Sequence, residues 1–143
     1  MIALFASLAI AGLALGMSGQ FRSAAPPASL EELERAIGSG NADASTWQAY
    51  GDALERAKRF GHAAAAYQRA LEIDPDRPAA RFNAALALAQ ANVPDKFFTY
   101  CGQLTANDPK QAVDLLDRPE MGAMRQDSRW ETAATAARAQ AAD

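Results

Sequence analysis

The pair Asp74-Pro75 recurs 34 residues on as Asp108-Pro109, and that recurrence constrains the chain more than any other feature. A fixed period of about 20–50 residues marks stacked supersecondary units, each too small to bury its own apolar face. Inside the first period, Trp47-x2-Tyr50-Gly51-x2-Leu54 sets bulky residues three and four apart, on one face of a helix. Gly51 and Ala70 are small where two helix backbones would approach closely. Tyr67 and Leu71, four apart on a second helix, can pack back against Trp47 and Leu54. Lys58, Arg59, Phe60 and Gly61 make the bend, with Phe60 expected to fold inward. The second helix ends at Asp74, because proline disfavours helical backbone in the residue before it.

The second period is a worn copy of the first. Pro78 opens a helix expected from Ala79 to about Ala91, Asn92-Val93-Pro94 breaks it, and a helix from about Asp95 to Ala106 returns. Arg81 occupies the place of Trp47, with Phe82 beside it. Phe97 and Leu104 replace Ala63 and Ala70, and Cys101 replaces Tyr67. This exchange of large for small can conserve core volume.

These residues carry a resemblance. Trp47, Gly51, Tyr67, Ala70 and Pro75 resemble the tetratricopeptide repeat, a 34-residue helix–turn–helix unit that stacks into solenoids. The resemblance covers Leu30 to about Trp130 and is most specific in the first unit. It departs from the family where Lys58 and Arg59 stand in a turn that usually carries an early glycine. It implies an all-α fold, a short solenoid of antiparallel helix pairs, to which the apolar N-terminal run adds a single transmembrane helix. The units expected are 44–77 and a degenerate 78–111. A half-repeat capping helix at 29–40 precedes them, opened by the capping box Ser29-Leu30-Glu31-Glu32. Residues 112–143 form C-terminal capping helices and a tail. There, Asp127-Ser128-Arg129-Trp130 resembles an Asp-Pro-Arg-aromatic ending of such arrays. Ser128-x-x-Glu131 reads as a second capping box, and Trp130 as the anchor of a final helix reaching about Gln140.

Composition narrows the function. The net charge of −3 argues against nucleic acid, which asks for clustered basic residues. Cys101 is the only cysteine, and its repeat position predicts a buried structural thiol. His62 is the only histidine and is expected on the surface at a turn, with no ligand-spaced neighbour. Asp74, Asp76 and Asp108 look like helix-end residues. No catalytic constellation, metal set, phosphate loop or cofactor motif is visible, so the expectation is a non-enzyme without cofactor. In the family, residues one step off the packing positions face a concave groove. Here those are Gln48, Asp52 and Glu55 in the first unit, and Phe82, Asn83, Leu86 and Gln90 in the second. Two readings stand for Phe82 and Leu86: open groove residues that meet an amphipathic peptide, or residues covered by a neighbouring helix of the same chain.

Met1 to Met17 carries no charge and only Ser7 as a polar residue. Counted on to Phe21, it reads as a membrane anchor over 1–21, with a cleaved signal sequence as the alternative. Ala9, Gly12 and Gly16 form a small-residue stripe suited to helix packing in lipid. Residues 22–28 are a linker stiffened by Pro26-Pro27. The expected location is a bacterial inner membrane, single-pass. Arg22 and Arg35 lean the domain toward the cytoplasm; the periplasm is the alternative. The expected partner is another protein, either a membrane complex in which this chain is an accessory subunit, or a client peptide captured transiently.

Overall fold

The computed structural model describes residues 28–143, where all regular structure is helical. Helix α1 spans Leu30–Gly38, α2 Ala44–Arg56, α3 Phe60–Ile73, α4 Pro78–Gln90, α5 Pro94–Asn107, α6 Pro109–Leu116 and α7 Trp130–Ala141. Two 3-10 turns, Pro119–Gly122 and Met124–Gln126, join α6 to α7. Each helix from α1 to α6 packs on the next, and α7 lies on α6 and α5. The short links 57–59, 74–77 and 91–93 make the neighbours antiparallel. Among the described residues, no helix is long and apolar enough to cross a membrane. The expected anchor at 1–21, its Ala9, Gly12 and Gly16 stripe, and the linker up to Pro27 lie outside the described residues.

Local chemistry explains most helix ends. Ser29 Oγ accepts from the Glu32 N–H at 3.2 Å, and the Ser29 N–H donates to Glu32 Oε2 at 2.8 Å, which completes the capping box. Asp43 opens α2 by accepting from the Thr46 N–H at 2.7 Å. Hydrogen bonds from Thr46 and Ser45 hold its carboxyl down at about 2. Asp108 caps α6 through the Gln111 N–H at 3.0 Å. Asp74 accepts from the Asp76 N–H and pairs with Arg77 at 3.0 Å, so Asp74 and Asp108 do serve helix ends.

The bends at 57–59 and 91–93, one inside each repeat unit, are built alike. Lys58 has φ 57° and Asn92 has φ 56°, one repeat period apart. Behind each, the main chain closes the same pair of bonds. Lys58 N–H donates to Glu55 C=O and Arg59 N–H to Leu54 C=O; Asn92 and Val93 repeat this to Ala89 and Leu88. This is the Schellman closure, in which a left-handed residue lets the last helical carbonyls be satisfied. Phe60 does not fold into the core as expected. It is the half-buried first residue of α3, because main-chain bonds shape the bend without an apolar plug.

The core explains the large–small exchange. Tyr67 is fully buried, and a Cβ on Gly51 would fall 2.5 Å from its Cε1. Glycine therefore makes room for a ring, not only for a backbone. The equivalent pair in the second unit is Ala85 with Cys101, both fully buried; the smaller thiol tolerates a methyl group there. Phe97 and Leu104 supply the volume that Ala63 and Ala70 leave to Tyr67 in the first unit. Helix α4 is central and buried nearly all round, with Ala84 to Ala89 all below one-tenth exposed.

At the C-terminal end, α6 stops before Pro119, and α7 returns against it as a third pair. The predicted capping box at Ser128 does not form. Arg129 precedes α7 with helical backbone, φ −78° and ψ −15°, and no side-chain cap. Asp127 instead accepts from the Arg129 N–H at 2.9 Å. Trp130 is buried and anchors the helix, as its sequence context suggests.

Candidate protein-interaction surface

Helices α2, α4 and α6 are the first helices of their pairs, and the predicted groove residues sit on α2 and α4. The structure joins many of these residues to each other. Asp52 Oδ1 accepts from the Tyr67 hydroxyl at 2.7 Å and from Asn83 Nδ2 at 3.4 Å, which ties α2, α3 and α4 together. Glu55 Oε2 lies 3.1 Å from the same Tyr67 oxygen. Gln48 accepts from Arg77 at 2.9 Å, and Arg77 also holds Asp74. The Asn83–Asp52 bond joins the second unit to a polar strip that otherwise lies within the first.

A phenol has one hydrogen, yet two carboxylates converge on it. The electrostatics follow from that shortage. Burial pushes the Glu55 carboxyl up; the Tyr67 bond opposes the rise, and the Asp52 charge adds to it. Burial and both carboxylates push the Tyr67 phenol far above its usual range. Tyr67 thus stays a proton donor at any ordinary pH.

The second half of the predicted groove is occupied by the chain itself. The Pro119–Gly122 turn packs on α4, and α6 packs there too. Leu86 is buried at 8% exposure, so the covered reading holds for it. Phe82 is half-buried, with the Arg118 guanidinium 5.3 Å from its ring centre. This is a cation–π contact from the segment 118–126, a strap that crosses α4 between α6 and α7. Arg118 and Glu120 are also near enough for their charges to act on Glu55. The Gln90 side-chain oxygen is buried. Met121 and Met124 seat the strap, both at most 1% exposed. Sequence reasoning missed this strap. Its signal was two methionines between short-range breakers, which has no helical period.

Arg125 and Arg129 hold the strap's ends. Arg125 donates to the Arg118 and Leu116 carbonyls and lies over Trp130 at 5.6 Å. Arg129 makes a two-pronged pair with Asp127, reaches Asp95 on α5 at 2.9 Å, and lies 4.6 Å over Phe98. Planar guanidinium groups suit such combined pairing and stacking. The Asp127-Ser128-Arg129-Trp130 segment is therefore the clasp that closes the array.

The remaining singled-out residues have quiet roles. His62 is exposed. Cys101 is fully buried, and burial pushes its thiol up to about 11, so it is unreactive at neutral pH. Among the described residues no group of His, Cys, Asp and Glu could hold a metal ion.

Comparison with known proteins fits this geometry. Residues 44–91 match the family model described as a tetratricopeptide repeat. No curated protein and no solved structure matches the chain.

Proposed function

We propose that this chain, whose residues 44–91 match the tetratricopeptide repeat, a protein–protein interaction module, is a non-catalytic accessory subunit of a membrane protein complex. Its apolar residues 1–21 tether it to a bacterial inner membrane, and its helical domain braces a larger partner. The observation that supports this reading over a peptide-capturing adaptor is the filled second half of the groove. Leu86 is buried, Phe82 is capped by Arg118, Asp52 and Glu55 are joined through Tyr67, and Asn83 donates to Asp52. A helix entering the groove would have to break those contacts before making its own.

The test is extraction of the full chain from its native membrane in mild detergent, followed by measurement of particle mass. A stoichiometric complex is expected. A lone monomer that gains mass only when a peptide is added would support the adaptor instead. Whether the domain faces cytoplasm or periplasm follows from the same preparation, by protease access to intact and opened vesicles. Arg22 and Arg35 favour the cytoplasm.

A further inference from the structure

The chain enters its fold at an edge where exposed cations gather. Glu34 of α1 meets Tyr50 of α2 at 3.3 Å, and the link 39–43 is short, so the two helices run antiparallel. The start of α1 at Leu30 therefore stands beside the end of α2 and the bend 57–59. The bend 91–93 lies on the same edge one unit on, because α2 and α4 are parallel. Arg56, Lys58 and Arg59 stand at the first bend and Lys96 at the second, all exposed. Among the described residues none of the four joins an ion pair. From 56 to 71 the sequence holds no carboxylate. Around the first bend Glu32 is drawn into its capping box and Glu55 onto Tyr67, which leaves Glu31 as the exposed acid. The opposite edge has the reverse sign. Asp43, Asp74, Asp76 and Asp108 mark its links; Asp74 holds Arg77, and Lys110 is exposed there. Helix stability does not account for the basic bend. Lys58 holds a left-handed backbone that glycine suits better, and Arg59 stands at the amino end of α3, where a cation is disfavoured.

We propose that this edge lies on the membrane surface and holds anionic phospholipid headgroups. Exposed Val93 and half-buried Phe60, one at each bend, sit among the cations at the headgroup boundary. Chain entry favours lipid over an acidic protein. Residues 22–28 separate the apolar run from Ser29 and span at most about 25 Å when fully extended. The edge of entry is thus held close to the surface at which the run ends, and Arg22 adds a cation in that link. Lysine and arginine are drawn to an anionic bilayer within about a Debye length, ~10 Å at 0.1 M salt. The broad faces of the domain then stand upright from the bilayer, available to the larger partner. This orientation rests on the reading of residues 1–21 as a tether.

The test uses the full chain reconstituted in vesicles of phosphatidylglycerol mixed with phosphatidylcholine, or of phosphatidylcholine alone, each carrying a headgroup-linked quencher. A fluorophore is attached at His62→Cys on the basic edge or at Asp76→Cys on the opposite one; native Cys101 is fully buried and stays unlabelled. Strong quenching is expected at His62→Cys in the anionic vesicles alone, and weak quenching at Asp76→Cys in both. Raising the salt to about 1 M shortens the Debye length to about 3 Å and should release the edge while the chain still floats with the vesicles. Arg56→Gln, Lys58→Gln and Arg59→Gln together should lower the ratio of docked to released domain on the order of 100-fold. Arg35→Gln with Lys110→Gln, at exposed cations away from the bends, should leave it unchanged. The lipid and salt arms need no substitution of those cations, so they decide the matter if the triple variant does not fold. Equal quenching at the two labels, equal quenching in neutral vesicles, or a triple variant quenched like the parent would each overturn the proposal. Loss of a co-purifying acidic protein from the triple variant, with quenching unchanged, would assign the edge to that protein instead. A chain that does not float with neutral vesicles would refute the tether. The edge is then read by flotation with the anionic vesicles, which the triple variant should weaken by the same factor.

Discussion

Replacing Gly51 with alanine should destabilise the protein, although alanine is the better helix former. The new Cβ would lie 2.5 Å from Tyr67 Cε1, 2.7 Å from Cδ1 and 2.9 Å from Cζ. Carbon atoms prefer about 3.5–4.0 Å, so the ring must retreat by about 1 Å. It has nowhere to go. Tyr67 is fully buried, and its hydroxyl is held by Asp52 at 2.7 Å and Glu55 at 3.1 Å. Overpacking of this kind costs about 1–3 kcal/mol, whereas glycine-to-alanine in a helix returns about 1 kcal/mol. The expected net loss is about 1 kcal/mol, read as a lower urea midpoint at constant slope. The control is the same substitution in a Tyr67→Leu background, where Cε1 and Cζ are gone. There the penalty should vanish or change sign, a coupling of about 1–3 kcal/mol. Equal penalties in both backgrounds would refute the reasoning, as would a stabilised Gly51→Ala in the parent chain. The pair Ala85 and Cys101 already shows the combination that a smaller partner permits.

Three further outcomes are expected. Gly102 lies exposed within α5 with nothing near a built Cβ, so Gly102→Ala should raise the urea midpoint by about 0.8–1 kcal/mol of stability. Lys58 holds φ 57° at an exposed helix end, and Lys58→Gly should stabilise by about 0.5–1 kcal/mol in thermal melts; Asn92→Gly should gain less, because asparagine tolerates that backbone. Asp43 and Asp127 are both held at about 2, below their ordinary value of 3.8. A depressed carboxyl stabilises the fold above the unfolded value and loses that contribution as pH falls through the folded one. Stability should therefore drop between about pH 4 and pH 2, and Asp43→Asn with Asp127→Asn should flatten that limb in an acid titration followed by circular dichroism.

The legible part of the fold was whatever short-range spacing encodes. Trp47, Gly51 and Leu54 announce one helix by their spacings of four and three, and Tyr67 and Leu71, four apart, announce its partner after a short bend. Pro78, Pro94 and Pro109 each start a helix, since proline is tolerated where an N–H has no helical partner. The strap was not legible. Its contacts join Arg118 to Phe82 and Arg129 to Asp95 across the fold, and nothing at either end repeats with the helical period. Ser128 failed as a cap for a local reason: Asp127 took the adjacent N–H, and Arg129 already had helical backbone. Among the candidate groove residues, position on the helix was readable. What each would bond to was not, because Asp52 and Asn83 bond directly across 31 residues of sequence, from one unit to the next.

The matched geometry at Lys58 and Asn92 has a consequence for how the array can change length. Side chains around the two bends have diverged, yet the main chain enters and leaves each along the same path. A segment cut from one bend to the next is thus an interchangeable cassette, with compatible backbone ends at both seams. Growth of the stack by whole cassettes placed before α4 leaves the clasp at Arg129, the strap's seat on α4 and the lead helix at Leu30 unaltered, so added span is the property this architecture can gain with least disturbance.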